Sequence, residues 1–240
     1  MRTFVDALKE RIAPLENPYF RALRDGSLTR EEFVETQIQF ANAVAFFSRP
    51  MAVLAARLPT PDMRLDLLEN VSDEHGHGDL RFCHERTFLQ LLGRFGVTPD
   101  EADRRALWPE VRAFNTILAG LCTLDDRLTG LATLGIIEDL FAGISTEIGA
   151  SIVKRGWLEE GQLVHYKTHE KLDVAHAEGF YKHLAEPYAR DEGLAYQIQQ
   201  GFELGAYVFL RMYEDLYRAR ARRWTRVYTG PHSWSAGTGW

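Results

Sequence analysis

The densest chemistry in the chain lies in His165-Tyr166-Lys167-Thr168-His169-Glu170-Lys171-Leu172-Asp173-Val174-Ala175-His176. The stretch from Glu159 to Glu186 contains no proline and reads as one helix. At about 100° per residue, His169, Asp173 and His176 then fall within a sector of about 60°. Two imidazoles and a carboxylate pointing one way suit a first-row metal such as iron, manganese or zinc. The alternative is a solvated polar face. Leu172, Ala175, Gly179 and Phe180 lie on or beside the stripe, so the face is expected to turn inward.

An iron or diiron site draws on about three carboxylates and three imidazoles in all. One further carboxylate stands out. Glu138 sits in the most apolar segment, with Leu131, Leu134 and Phe141 on its own face, where an unpaired carboxylate is costly. Glu147 is its rival, but nine residues set it about 180° away, so both cannot enter one site. Glu74 and His84 are candidates of weaker spacing, about 80° apart on a straight helix. Gly76 and Gly78 between them suggest a local unwinding that changes this angle. Glu74 and His77 spell one Glu-x-x-His, whereas a ferritin-like site needs two on different helices, and no second one exists.

The elements that must position these residues are all helical. An amphipathic helix is expected over Met1–Ile12, and a short one from Asn17 to Asp25. Thr29 and Glu32 form a capping box opening a helix to about Leu58, bent near Pro50, with Phe33, Gln37, Phe40, Val44 and Phe47 inward. A segment from Asp62 to Leu92 follows, unwound at the glycines, and then helices over Asp100–Leu118 and Leu128–Lys154. The histidine helix and a last helix from Asp191 to Arg223 complete the set. No strand alternation appears, so the class is all-α, one domain of about seven helices. Thr225 to Trp240 is Gly/Ser/aromatic and reads as an irregular tail.

Composition narrows the function. The 240 residues, 45% hydrophobic, suffice for one buried core, and the net charge of -6 argues against a nucleic-acid partner. No signal-peptide pattern and no apolar stretch long enough to span a bilayer is evident, so a cytoplasmic protein with no membrane partner is expected. Cys83 and Cys122 form neither a metal-type pair nor a disulfide framework. Seven of the eight histidines cluster: His75, His77 and His84, then His165, His169, His176 and His183.

Glu74-(x9)-His84, the glutamate of Leu134-Gly135-Ile136-Ile137-Glu138, and His169-(x3)-Asp173-(x2)-His176 occur in that order. This arrangement resembles the haem-oxygenase-like diiron oxidases and oxygenases, the iron-containing branch of the TenA/PqqC-type fold. The likeness runs from Asn17-Pro18-Tyr19-Phe20 to about Arg223. It implies a seven-helix fold and a six-residue ligand set, Glu74, His84, Glu138, His169, Asp173 and His176, with Glu138 bridging. It further implies two Fe(II)/Fe(III) ions, O2 as cosubstrate, and a small-molecule substrate such as an amino acid, amine or fatty acid. The outcome would be C–C cleavage, desaturation or oxygenation in specialised biosynthesis. Some members carry a further glutamate on the second long helix. Here that region is Phe46-Phe47-Ser48-Arg49-Pro50, so the six-ligand members resemble this chain better. Members of the fold are often dimers, which leaves a homodimer open.

Phe40, Val44 and Phe47 are candidate substrate-pocket walls, with Tyr207 and Arg211 from the last helix. Arg211 would clamp a carboxylate or else pair with Asp215 one turn on, and Tyr207 reads as a core aromatic rather than a catalytic radical site. His165 and His183 read as supporting or core groups, His75 and His77 as loop residues, and Arg218–Arg226 as a solvated helix end. Three rivals remain. A metal-free thiaminase-like enzyme would need an activated cysteine, which neither Cys83 nor Cys122 resembles. A haem protein would need one proximal histidine and little else. A non-catalytic interaction protein could keep a structural metal.

Overall fold

The computed structural model describes residues 1–223, apart from the side chains of 168, 170–172 and 221–223. Leu172 of the expected inward stripe and the 225–240 tail lie outside the described residues. Among the described residues all regular structure is helical. The helices are α1 (Arg2–Ile12), α2 (Pro18–Asp25), α3 (Arg30–Arg57), α4 (Pro61–Glu74) and α5 (His84–Arg94), then α6 (Pro99–Arg104), α7 (Pro109–Leu124), α8 (Arg127–Lys154), α9 (Val164–Arg190) and α10 (Glu192–Arg223).

Local chemistry accounts for several of the boundaries. Asn17 Oδ1 accepts the Tyr19 N–H at 3.0 Å, and Pro18 opens α2 where no backbone donor is needed. The Thr29–Glu32 capping box is present in both directions, at 3.1 and 3.0 Å. Asp126 caps α8 by accepting the Leu128 N–H at 2.8 Å.

Three expectations change. The 62–92 segment is two helices, because residues 75–83 leave the helical path rather than unwinding only at the glycines. Gly76 sits at φ 63°, and a Cβ there would stand 2.7 Å from the Cys83 nitrogen, so only glycine lets the chain double back this tightly. The 100–118 helix is likewise divided. Pro109 begins α7, and Gln39 of α3 holds the intervening link by accepting from Trp108 N–H and donating to Ala106 O. The histidine helix, in contrast, continues through Pro187 to Arg190.

The bundle is built around α8. Leu131, Leu134, Ile136, Ile144 and Ile148 are fully buried there, and α9 and α10 pack along it. Contrary to the sequence expectation, α3 and α8 are long and apolar enough to cross a membrane. Their apolar windows are 61% and 83% buried within the bundle, so this hydrophobicity serves the core. α10 meets α8 almost backbone to backbone. A Cβ on Gly205 would lie 2.4 Å from Ile136 Cγ2 and 2.6 Å from the Thr133 carbonyl oxygen. Gly205→Ala should therefore cost about 2 kcal/mol through overpacking. That lowers the melting temperature by roughly 4–8 °C, a shift that calorimetry would detect.

Candidate metal centre

Glu74 is the last residue of α4 and His84 the first of α5, so the reversal at 75–83 sets them side by side. His84 Nδ1–H donates to Glu74 Oε1 at 2.8 Å. α9 presents His169, Asp173 and His176, and the middle of α8 presents Glu138. His169 Nδ1–H donates to Asp173 Oδ1 at 2.7 Å, and the His84 and His169 rings lie 4.3 Å apart. His176 Nδ1 stands 3.7 Å from Glu138 Oε2 and 4.0 Å from Asp173 Oδ1. Glu138, Asp173 and His176 each offer a donor atom within 4.8 Å of the other two, the spread a metal ion can gather. All six predicted residues are buried and share one region of the core.

Three carboxylates packed without solvent perturb one another. Burial, reinforced by the Glu138 charge, pushes Asp173 well above the usual carboxylate range. Burial also works against the Glu74 anion, but the His84 charge and hydrogen bond outweigh it and hold Glu74 below its ordinary value. The same pairing raises His84 despite its burial. His169 is driven down to about 3 by burial and by the neighbouring His84 charge, leaving a neutral imidazole. Burial also opposes a charged His176, yet Glu138, Asp73 and Asp173 raise it to about 10.

His169 Nε2, Asp173 Oδ2 and His176 Nδ1 are all inaccessible and lack a hydrogen-bond partner. Each such atom costs about 1–3 kcal/mol if left unsatisfied. On both histidines the other ring nitrogen is already committed to a carboxylate, which is how proteins fix a metal-ligating imidazole. Imidazole nitrogens and carboxylate oxygens converging in this way fit iron or manganese.

Two supporting residues were not singled out from the sequence. Asp73 Oδ2 accepts His176 Nε2–H at 2.9 Å, while its Oδ1 pairs with His77 Nε2. Asn70 Nδ2–H donates to Glu138 Oε1 at 3.2 Å. Asn70 is one helical turn before Glu74, a signal that was present; Asp73 carries no spacing signal. Asp73→Ala should weaken iron binding about 10–100-fold by releasing His176, measurable by competitive chelation. His165 is fully buried beside His169, ring centroids 4.3 Å apart, and contacts Thr87 through Nδ1 at 3.2 Å. Its Nε2 has no partner, and burial holds it neutral, so it is a core group satisfied at one nitrogen. His183 pairs with Asp66 of α4.

Beside the centre lies a cavity of about 40 Å3. Phe40, Ala43, Val44 and Phe47 of α3 form one wall, Phe141 and Phe209 another, and Glu74, Glu138 and His169 supply its polar side. Tyr207 and Arg211 do not join it. Tyr207 is 62% exposed, and Arg211 binds both Asp215 oxygens at 2.8 Å on the outer surface. Phe209 faces the cavity, and residues two places away on a helix point about 200° away. Cys83 and Cys122 are free and buried, and burial pushes the Cys122 thiol up to about 12, far from an activated nucleophile.

No protein of curated function matches the chain in sequence. Among solved structures, a domain of unknown function with a heme oxygenase-like fold from Shewanella denitrificans superposes with TM-score 0.75 at 15% identity, covering 92% of this chain and 91% of its own. A TenA homologue from P. horikoshii gives 0.70 at 17% identity, covering 90% and 98%. A CADD-like protein of unknown function from Nostoc punctiforme gives 0.70 at 18%, covering 91% and 97%. These likenesses establish the haem-oxygenase-like fold. The family model described as "Iron-containing redox enzyme" matches residues 34–209, a span that includes all six clustered residues, and the chain belongs to that family.

Proposed function

We propose that the protein is a non-haem diiron oxidoreductase that uses O2 to oxidise a small metabolite by C–C cleavage, desaturation or oxygenation. Glu74, His84, Glu138, His169, Asp173 and His176 would hold two irons. The observation that carries this reading is the trio of buried, partnerless donor atoms on His169, Asp173 and His176. When bound, the irons supply the electrons that activate dioxygen. The chain's own residues do the rest. Asp173 and Asp73 orient His169 and His176 by accepting hydrogen bonds from Nδ1–H and Nε2–H, which turns His169 Nε2 and His176 Nδ1 toward the centre. His169 is neutral at physiological pH and therefore free to ligate.

The phenylalanine walls exclude water and accept a hydrocarbon segment of the substrate. No lysine or arginine lines the cavity among the described residues, so the reacting part is apolar and any charged group sits at the centre or toward the mouth. Val44 and Phe47 are half-buried and place that mouth along α3. The competing reading is a metal-free enzyme on the same fold, and the inert Cys122 weakens its thiol-dependent form. Oxygen uptake by the iron-loaded protein with a panel of fatty acids, amines and amino acids separates the two. Uptake coupled to substrate loss, absent in Asp173→Ala, supports the diiron reading. Turnover that survives chelation and Asp173→Ala overturns it.

A further inference from the structure

The metal centre is approached from two sides of opposite character. One is the phenylalanine-walled cavity. The other is a groove of about 460 Å3 between α4 and α9, bordered by Asp66, Glu69, Asp73 and Glu178, with Asn70 and His176 at its base. We propose that this groove is the entry route for a divalent cation, distinct from the substrate cavity, and that Asp73 passes the ion from the groove to the centre. The inference rests on the diiron reading and adds to it a loading site on the surface.

Three observations carry it. The base of the groove is also the wall of the candidate metal trio. Asn70 and His176 are 4% and 8% exposed, and each carries an atom without a partner, Asn70 Oδ1 and His176 Nδ1. The His176 atom stands 3.7 Å from Glu138 Oε2, so an ion reaching it has reached the centre.

The charge of the groove also favours a cation. Asp66 is balanced by Lys182 at 2.6 Å and by His183, and Glu178 by Arg2. Asp73 is shared between His176 and His77, whereas Glu69 is exposed and makes no ion pair among the described residues. The groove therefore keeps an excess of negative charge, which concentrates cations at its mouth. Lastly, a hydrated ion can exchange waters for carboxylate oxygens step by step along this path. The phenylalanine cavity would strip the waters and return no ligand until its end.

The test follows uptake of Fe(II) by the full-length apo-protein in anaerobic stopped-flow. Glu69 is exposed and outside the ligand set, so Glu69→Lys should fold. We expect it to slow uptake about tenfold and to flatten the salt dependence of the rate, with the final iron content unchanged. Ala43→Phe, which fills the apolar cavity, should leave the uptake rate as it is. An unchanged rate in Glu69→Lys, or a slowed one in Ala43→Phe, overturns the proposal. Unchanged uptake together with impaired substrate turnover in Glu69→Lys would make the groove a substrate path and overturns it as well. A wild-type chain that takes up no iron at any time defeats the diiron reading itself, which keeps the two failures apart.

Discussion

Asp173→Asn is expected to abolish iron-dependent turnover and at the same time to raise the melting temperature of the apo-protein. Asp173 is fully buried, faces Glu138 and His176, and has one oxygen without a partner. Without a metal its charge is a cost, which is why its carboxyl is held well above the usual range. The amide has nearly the same shape and no charge, so it should stabilise the empty protein by about 1–3 kcal/mol. For a chain of this size that corresponds to roughly 2–12 °C. The same change replaces an anionic ligand by a neutral amide, whose oxygen still accepts from His169 Nδ1–H but is a far weaker donor to iron. Iron affinity should fall by more than about 100-fold, beyond the loss typical of a supporting residue. Thermal melts with and without Fe(II) measure both halves. A variant that melts lower and still binds iron would show Asp173 to be a structural residue.

The second large effect concerns the cavity. Ala43 lies on the α3 wall among Phe40, Val44 and Phe47. Ala43→Phe places a ring where the substrate's hydrocarbon segment must sit, without touching a candidate ligand. Displacing a substrate by about an ångström can cost about 100-fold, so kcat/KM should fall by at least about that factor. Iron content should be unchanged. Iron analysis beside steady-state kinetics checks this, and full activity in the variant would place the substrate elsewhere.

How far these features were legible in the sequence varied with the range of the interaction. The α9 trio follows from helical period alone, because His169, Asp173 and His176 need only one unbroken helix. Glu138 was legible as a carboxylate in an apolar stretch. Glu74 and His84 were not legible by helical angle, since residues 75–83 are not α-helical and the pairing is made by a chain reversal around Gly76. Family resemblance supplied that pair. Asp73 was invisible because its role depends on His176, 103 positions away.

The α10 pocket candidates failed for a different reason, while the alternative reading of Arg211 as the partner of Asp215 holds. Phe202, Ala206, Phe209 and Tyr213 form an apolar stripe at helical spacing and are the buried face. Tyr207 and Arg211 lie between its members. The stripe was readable, but the polar groups were chosen for their chemistry rather than their phase. The division at Pro109 was also signalled, by a proline that cannot sit inside a helix without cost.

Six buried residues of this chain are proposed to hold two irons. Anaerobic titration of the apo-protein with Fe(II), followed by metal analysis of the desalted protein, tests this most directly. About two irons per chain are expected, falling sharply in Asp173→Asn. A protein that retains no iron, with Glu74, His84, Glu138, His169, Asp173 and His176 intact, would contradict this proposal.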